Sequence, residues 1–341
     1  MVKATPIRDL FCMDVLEITK QDSILVALKQ ISQSPGPYCM SFGFDLKPLI
    51  RSIEKFGLIN SPIVTKDTEG RMEVVAGYRR ILALKHLQWE DIPCRDLSHL
   101  GFAPVELLLF NLHDNLSTRP FNAVEKGMVL SRLDQYISRE EVLRDFMPLL
   151  DLPCHGHTLE MFLGLEKLEQ PIKESLVNRR ISFQTAKAFV HMKPESRATL
   201  FNWITGVGLN ANQQSQFLAY TADISIRDQK EIPELLEEEE ILDILNDVNL
   251  NNPQKAKRLL NFLKSRRFPL LTRSEKRFRE KSTGLGLPDG VSISHSPFFE
   301  DPDYRLEIFF KNGKKLREKI DALGKVSGLE SLGDPWKEDE V

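Results

Sequence analysis

Apolar residues recur at Leu46, Leu49, Ile50, Ile53 and Phe56, the three-to-four spacing that collects one face of a helix. This predicts a helix over residues 45–57, with Asp45 as N-cap, Pro48 tolerated in the first turn and Gly57 as the stop. The pattern then changes period. A loop from Leu58 runs into a strand ending at Val64, DTEG at 67–70 makes a turn, and residues 72–76 return as a second strand. Gly77 supplies a tight turn, and residues 79–87 predict a helix with Leu84 and Leu87 on its apolar face. Residues 91–95 read as another short strand and 105–112 as a helix that ends in HDNLSTR. Upstream, residues 15–18 predict a strand and 23–31 a short helix, and PGP at 35–37 separates them from the helix over 45–57.

Beyond Pro120 the periodicity is helical throughout, with candidates at 124–136, 139–146, 158–168, 172–178, 183–191, 196–204, 212–221, 232–245 and 254–263. Residues 266–288 look like a basic connector marked by Gly and Pro, and strands at 291–298 and 304–310 precede a helix at 314–323. The fold class expected is α+β. An N-terminal extension (1–37) precedes an α+β domain (38–119), and a helical domain (120–265) and the basic linker (266–288) come after it. A ββα element (289–327) and a tail (328–341) complete the chain. One hairpin with one helix is too small to stand alone, so the last element packs on the helical region or on a second chain.

At 341 residues the chain is long for one domain, and two or three units are expected. No run of about 18 apolar residues occurs and the first residues, MVKATPIRD, lack a signal-peptide core, so a cytoplasmic protein is expected, with no membrane as partner. Four scattered cysteines without a CxxC pair fit reduced thiols. The net charge of −3 conceals segregation: residues 231–247 carry eight acids and no base, whereas 255–281 carry eleven Lys or Arg against two Glu. Within the basic stretch Lys264, Arg266, Arg267, Arg273, Lys276, Arg277 and Arg279 lie beside Phe268 and Phe278, the mixture that meets phosphates and stacks on bases. The alternative is internal pairing with the acidic helix.

The candidate chemistry centres on EVVAGYRRILA at 73–83. Arg79 and Arg80 stand at a helix start, where the helix dipole is already positive. Two readings stand: an anion held jointly by free backbone N–H groups and guanidinium forks, phosphate first among candidates, or two solvated arginines. CHGH at 154–157 has metal-ligand chemistry but no second cluster, and GLGLPDG at 284–290 neither follows a clear strand nor opens a helix, so both are read as loops.

The order of elements over residues 45–119 resembles the N-terminal domain of ParB/Spo0J-type chromosome partition proteins, the ParB/sulfiredoxin-like domain. In that family a GxxxQP strand, a GERRxRA box and an ENxQR box follow one another, matched here by GLINSPIV at 57–64, GYRRILA at 77–83 and DNLSTR at 114–119. Asn115, Asn122 and Glu125 keep the register of the family's NxQRxxLNxxE, and NRRISFQTA at 178–186 is similar to its GKIS segment. The resemblance spans roughly residues 40–190. It implies a CTP site with Mg²⁺: Arg79 and Arg80 on phosphates, Gly77 allowing close approach, Asn60, Ser61 and Pro62 toward the nucleoside, and Asp114 on the metal with Asn115 beside it. It also implies a helix-turn-helix, DNA as partner, a homodimer formed through the C-terminal ββα element, and a ParA-like ATPase partner. Turnover, if any, would be weak CTP hydrolysis.

Several positions depart from the pattern. Tyr78 replaces the Glu of the GERR box, Leu82 its third Arg, and Ser117-Thr118 the Gln-Arg pair, leaving Arg119 as a candidate substitute. The turn of the helix-turn-helix becomes the long PLLDLPCHGH at 148–157, and the next helix offers Glu160 and Glu166 where a DNA reader needs Arg, Lys, Asn or Gln, so it is expected to be a packing element. Rival readings are a small-molecule kinase or phosphotransferase on the same fold, for which Glu73 or Asp114 would be the base, and a non-catalytic interaction scaffold. A sulfiredoxin would need a Cys beside the phosphate-binding Arg, and Tyr78 and Ile81 flank the pair here.

Overall fold

The computed structural model describes residues 23–32, 35–301 and 303–333. The strand expected at 15–18 lies outside them. The chain divides into two compact units, the first ending at Met192 and the second starting at Lys193. That division falls inside the stretch read as one helical domain over 120–265.

The first unit begins with a four-stranded sheet in the order β1-β4-β2-β3, from Ile24–Ala27 (β1), Ile63–Lys66 (β2), Met72–Ala76 (β3) and Asp91–Asp96 (β4). β1 corrects the helix expected at 23–31. Its short aliphatic run Ile-Leu-Val-Ala finds an open sheet edge and pairs antiparallel with β4, Val26 opposite Ile92, and only Leu28–Gln30 coil into a 3₁₀ turn. β4 runs parallel to β2, and β2 pairs antiparallel with β3 across a register shift between Ile63 and Val64. The Lys47–Phe56 helix contributes Ile53 to the core, and the Tyr78–His86 helix contributes Ile81, Ala83 and Leu84. They meet Val64, Val74, Ile92 and Cys94 from the strands, and each large aliphatic side chain so buried stabilises the fold by about 1.5–3 kcal/mol. Asp45 caps its helix from one position ahead of the N-cap, its Oδ1 accepting from the Lys47 amide at 3.0 Å.

Burial pushes the Cys94 thiol from 9.0 up to about 12, with Asp96 adding to the shift. The folded state therefore keeps a proton that the unfolded chain releases, and stability is lost as pH rises from about 9 towards 12. Urea denaturation across that range is expected to show a falling midpoint, and Cys94→Ala, though less stable at neutral pH, to show a shallower fall.

The helix expected at 105–112 runs from Pro104 to Leu116, so Asp114 and Asn115 sit in its last turn rather than in a loop. Helices Ala123–Leu133, Gly156–Glu166, Gln170–Val177 and Phe183–Val190 come next. The helix expected at 139–146 is a single α-turn, Arg139–Glu141, that widens into a π-helix over Val142–Phe146. The Gly156–Glu166 helix packs against Ala123–Leu133, burying Leu159, Phe162 and Leu165. Gly127 permits that approach, since a Cβ there would lie 2.6 Å from the Phe162 carbonyl oxygen. Glu160 pairs with Arg139 on its outer side.

In the second unit, helices Pro194–Val207, Ala211–Asp228, Asn252–Arg267 and Pro269–Gly284 are joined by two short acidic ones. The acidic helix expected at 232–245 is broken into Ile232–Leu236 and Glu239–Asn246 at Glu237 and Glu238, where the Glu238 carboxylate accepts from Lys230 and Arg266. The connector expected at 266–288 is in fact mostly helix: Pro269 falls in its first turn and Gly284 at its end, where neither interrupts it. Strands Val291–His295 (β5) and Tyr304–Ile308 (β6) form an antiparallel hairpin, with the Gly313–Leu323 helix after it. Phe278 ties the hairpin to the Pro269–Gly284 helix, stacking on Tyr304 at 5.5 Å and meeting His295 edge-on at 4.7 Å.

Candidate functional site

Gly77 closes β3 with φ 93°, the left-handed region open chiefly to glycine. A Cβ there would lie 3.1 Å from Pro62 Cα, so the glycine also lets the entry to β2 press against the start of the Tyr78–His86 helix. In front of that helix start lies a cleft of about 190 Å³. Its walls are Cys39–Ser41 on one side, Gly77, Tyr78, Arg79 and Arg80 at the base, and Asn111, Asp114, Asn115, Thr118 and Arg119 opposite.

Five of the eight residues expected at a nucleotide site line this cleft: Gly77, Arg79, Arg80, Asp114 and Asn115. Asn60, Ser61 and Pro62 are not among its lining residues. The Ser61 hydroxyl meets Ser23 at 3.1 Å on the surface, and Pro62 supports Gly77 from outside the cleft.

The arginine pair has two different environments. Arg79 is fixed: its Nη2 donates to Glu125 Oε1 at 2.9 Å, its Nε to Ser41 Oγ at 3.3 Å, and its guanidinium lies 4.6 Å over the Phe44 ring. Burial lowers its pKa, and Arg119 adds repulsion that Glu125 offsets. Arg80, half-buried in the same cleft, makes no side-chain hydrogen bond or ion pair with any described residue. Asp114, the one carboxylate among the lining residues, is likewise without a side-chain partner among the described residues. Asn115 is a positioning residue: its Nδ2 donates to the Asn111 carbonyl at 3.0 Å and its Oδ1 accepts from Arg119 Nε at 3.0 Å. Asn111, buried, extends the chain by donating to the Tyr38 carbonyl at 2.9 Å and to that of Val75.

The residue that sequence reasoning missed is Glu125. It keeps register in the family motif, but its task shows only in three dimensions. Its side chain is 1% exposed and accepts from Arg79, from Arg119 at 2.6 Å, from the Phe42 amide at 3.0 Å and from the Asn122 amide at 3.0 Å. The Asn122-x-x-Glu125 capping box is the one local signal for it, and that predicts only a helix start. Arg119 does enter the cleft, held by Glu125, by the Met40 carbonyl at 3.1 Å and over Phe121 at 4.7 Å.

Glu73 is absent from the cleft lining. It lies against Gly36, and burial raises its pKa. Cys39 does line the cleft, but burial raises its thiol pKa too, which disfavours the reactive thiolate. Among the described residues no group of three or more His, Cys, Asp or Glu is placed to hold a metal ion. A lone Asp114 suits Mg²⁺ only in company with ligand phosphates.

Of the basic residues singled out, Lys264 pairs with Glu275 at 2.9 Å, Arg266 with Asp228 at 2.8 Å and with Glu238, and Arg267 with Asp223. Hydrogen bonds from Arg227 and Arg266 pull Asp228 down to about 2. Arg273, Lys276 and Arg279 are exposed, and Arg277 is half-buried.

The family model of the ParB N-terminal domain matches residues 16–101. The nucleoid occlusion protein of Bacillus subtilis (strain 168) is 32% identical over 174 residues, covering 49% of this chain and 58% of that protein. That of Halalkalibacterium halodurans is 24% identical over 260 residues, covering 75% of this chain and 79% of that protein. The match thus spans little more than half the length of the Bacillus subtilis relative. Two crystal structures of C-terminally truncated ParB from Caulobacter crescentus are also similar. The complex with the centromeric parS site has a TM-score of 0.31 at 16% identity, covering 56% of this chain and 96% of that one. The complex with CTP-gamma-S has 0.26 at 17%, covering 53% and 98%.

Proposed function

From a chain whose residues 16–101 match the family model of the ParB N-terminal domain, we propose a nucleotide-regulated, DNA-associated protein of chromosome partition or nucleoid occlusion, with CTP as its nucleotide. The observation that carries this reading is Arg80: a half-buried guanidinium without a side-chain partner among the described residues, set at a helix start behind a glycine turn. A phosphate would satisfy the cation and the open helix N–H groups together. A cleft of about 190 Å³ is smaller than the roughly 300–1,000 Å³ of sites that enclose a ligand, so the nucleotide would be gripped by its phosphates with its far end open. Asp114 would take Mg²⁺ jointly with the phosphates. Asn115, Arg79 and Arg119 would hold the cleft's shape, with Arg79 and Arg119 also supplying positive field.

Chromosome association draws support from the nucleoid occlusion proteins among the relatives. Duplex contact in the second unit would fall first to the exposed Arg273 and Arg279, since Lys264, Arg266 and Arg267 are held in ion pairs and Lys276 lies 3.9 Å from the Glu280 carboxylate. A homodimer is supported by apolar side chains exposed on the C-terminal element, among them Phe309 at 67% and Ile320 at 47%. A ParA-like ATPase is kept as a proposed partner on the family resemblance alone. The phosphotransferase reading has only Asp114 to offer as a base.

Titration of the protein with CTP, ATP and GTP plus Mg²⁺, with and without duplex DNA at stepped salt, tests the proposal. Micromolar-range binding of CTP in preference to the purine nucleotides, and a CTP-dependent change in DNA retention, are the results expected. No nucleotide binding at all would overturn it, and binding without any DNA effect would favour a phosphotransferase.

A further inference from the structure

A second cleft, of about 300 Å³, shares no lining residue with the first. It opens behind Pro37 and Tyr38, between the end of the Ala123–Leu133 helix and the end of the Gly156–Glu166 helix. Arg132 and Glu166 both line it without forming an ion pair with each other. Arg132 is anchored: its Nε donates to the Pro37 carbonyl at 2.7 Å and its Nη1 to the Met128 carbonyl at 3.2 Å. Those bonds leave Nη2 without a described partner. The Glu166 carboxylate makes no hydrogen bond or ion pair with any described residue, although Arg132 and Glu166 sense one another electrostatically. Tyr38 and Tyr136 supply aromatic walls, and the Gln135 amide is another polar group without a described side-chain partner.

A fixed cation and an acid facing one cavity, too far apart to pair, are complementary to a ligand bearing both charges. We propose that this cleft binds a small zwitterion of the free amino-acid class, its carboxylate on Arg132 and its ammonium on Glu166. A single-charge ligand would engage one of the two groups and gain nothing from the other, whereas a zwitterion is complementary to both. Burial lowers the Arg132 pKa, and an incoming carboxylate would offset that desolvation.

The test is calorimetric titration of the full chain with individual free amino acids, each beside its deaminated acid and its decarboxylated amine. At least one amino acid is expected to bind, with both single-charge analogues about tenfold weaker or worse. Glu166→Gln removes a charge that makes no hydrogen bond or ion pair with any described residue and acts on Arg132 through space. It should weaken the amino acid about tenfold or more while the ligand-free variant still melts in a single cooperative transition. Absence of amino-acid binding to the wild-type chain, equal binding of the deaminated acids, or undiminished binding to Glu166→Gln would each overturn the proposal.

Discussion

Arg80→Ala is expected to weaken CTP binding by roughly 10–150-fold while leaving the melting temperature of the free protein unchanged. The range comes from about 1.5–3 kcal/mol for hydrogen bonds to a charged group. The unchanged stability comes from the side chain's lack of partners among the described residues: its removal strands none of their donors or acceptors. Arg80→Lys should fall between, because it keeps the charge and loses the planar fork that matches phosphate. Arg79→Ala makes the contrast. It breaks the bond to Glu125 and leaves a buried carboxylate with one guanidinium fewer, so it should lower both affinity and stability. Isothermal titration and thermal melting of the three variants separate the cases. Wild-type affinity in Arg80→Ala would remove the phosphate role from this arginine and the main support for a nucleotide site.

The sequence carried the order of elements well because the first unit obeys local rules. β3 runs over the predicted 72–76, and Gly77 is the turn that the break in hydrophobic period required. It misled where long-range partners decide. Residues 23–31 have no strong local preference, and a strand resulted because β4 offers an open edge. The 266–288 stretch looked like a linker because Gly and Pro were counted without regard to position, yet Pro269 opens the helix and Gly284 ends it. Of the candidate site, the glycine turn, both arginines and Asp114 were legible as a motif. Their division of labour was not, since a sequence does not say which arginine a carboxylate 46 residues away will claim. For the same reason the seven basic residues looked alike, whereas Lys264, Arg266 and Arg267 are held by acids 11 to 44 positions distant in sequence.

That distant carboxylate is where the largest loss of stability is expected. Glu125 draws together the segment ending at Phe42, the arginine turn and the entry to the Ala123–Leu133 helix, and it does so out of water. Removing one member of such a buried group leaves the others desolvated and uncompensated, at about 3–5 kcal/mol. Glu125→Ala should therefore lower the unfolding midpoint of the first unit by roughly 6–20 °C, at about 2–4 °C per kcal/mol for a unit of this size. Glu125→Gln keeps the shape and one acceptor, and should lose less. Coupling distinguishes a charge cluster from a simple cavity. Once Glu125 is Ala, Arg79→Ala should cost less than it does in the wild-type chain, because the arginine has lost the partner for which it was held. Additive losses in that double-mutant cycle would instead mean that Glu125 acts by filling space, and that Arg79 owes its position to Ser41 and Phe44 alone.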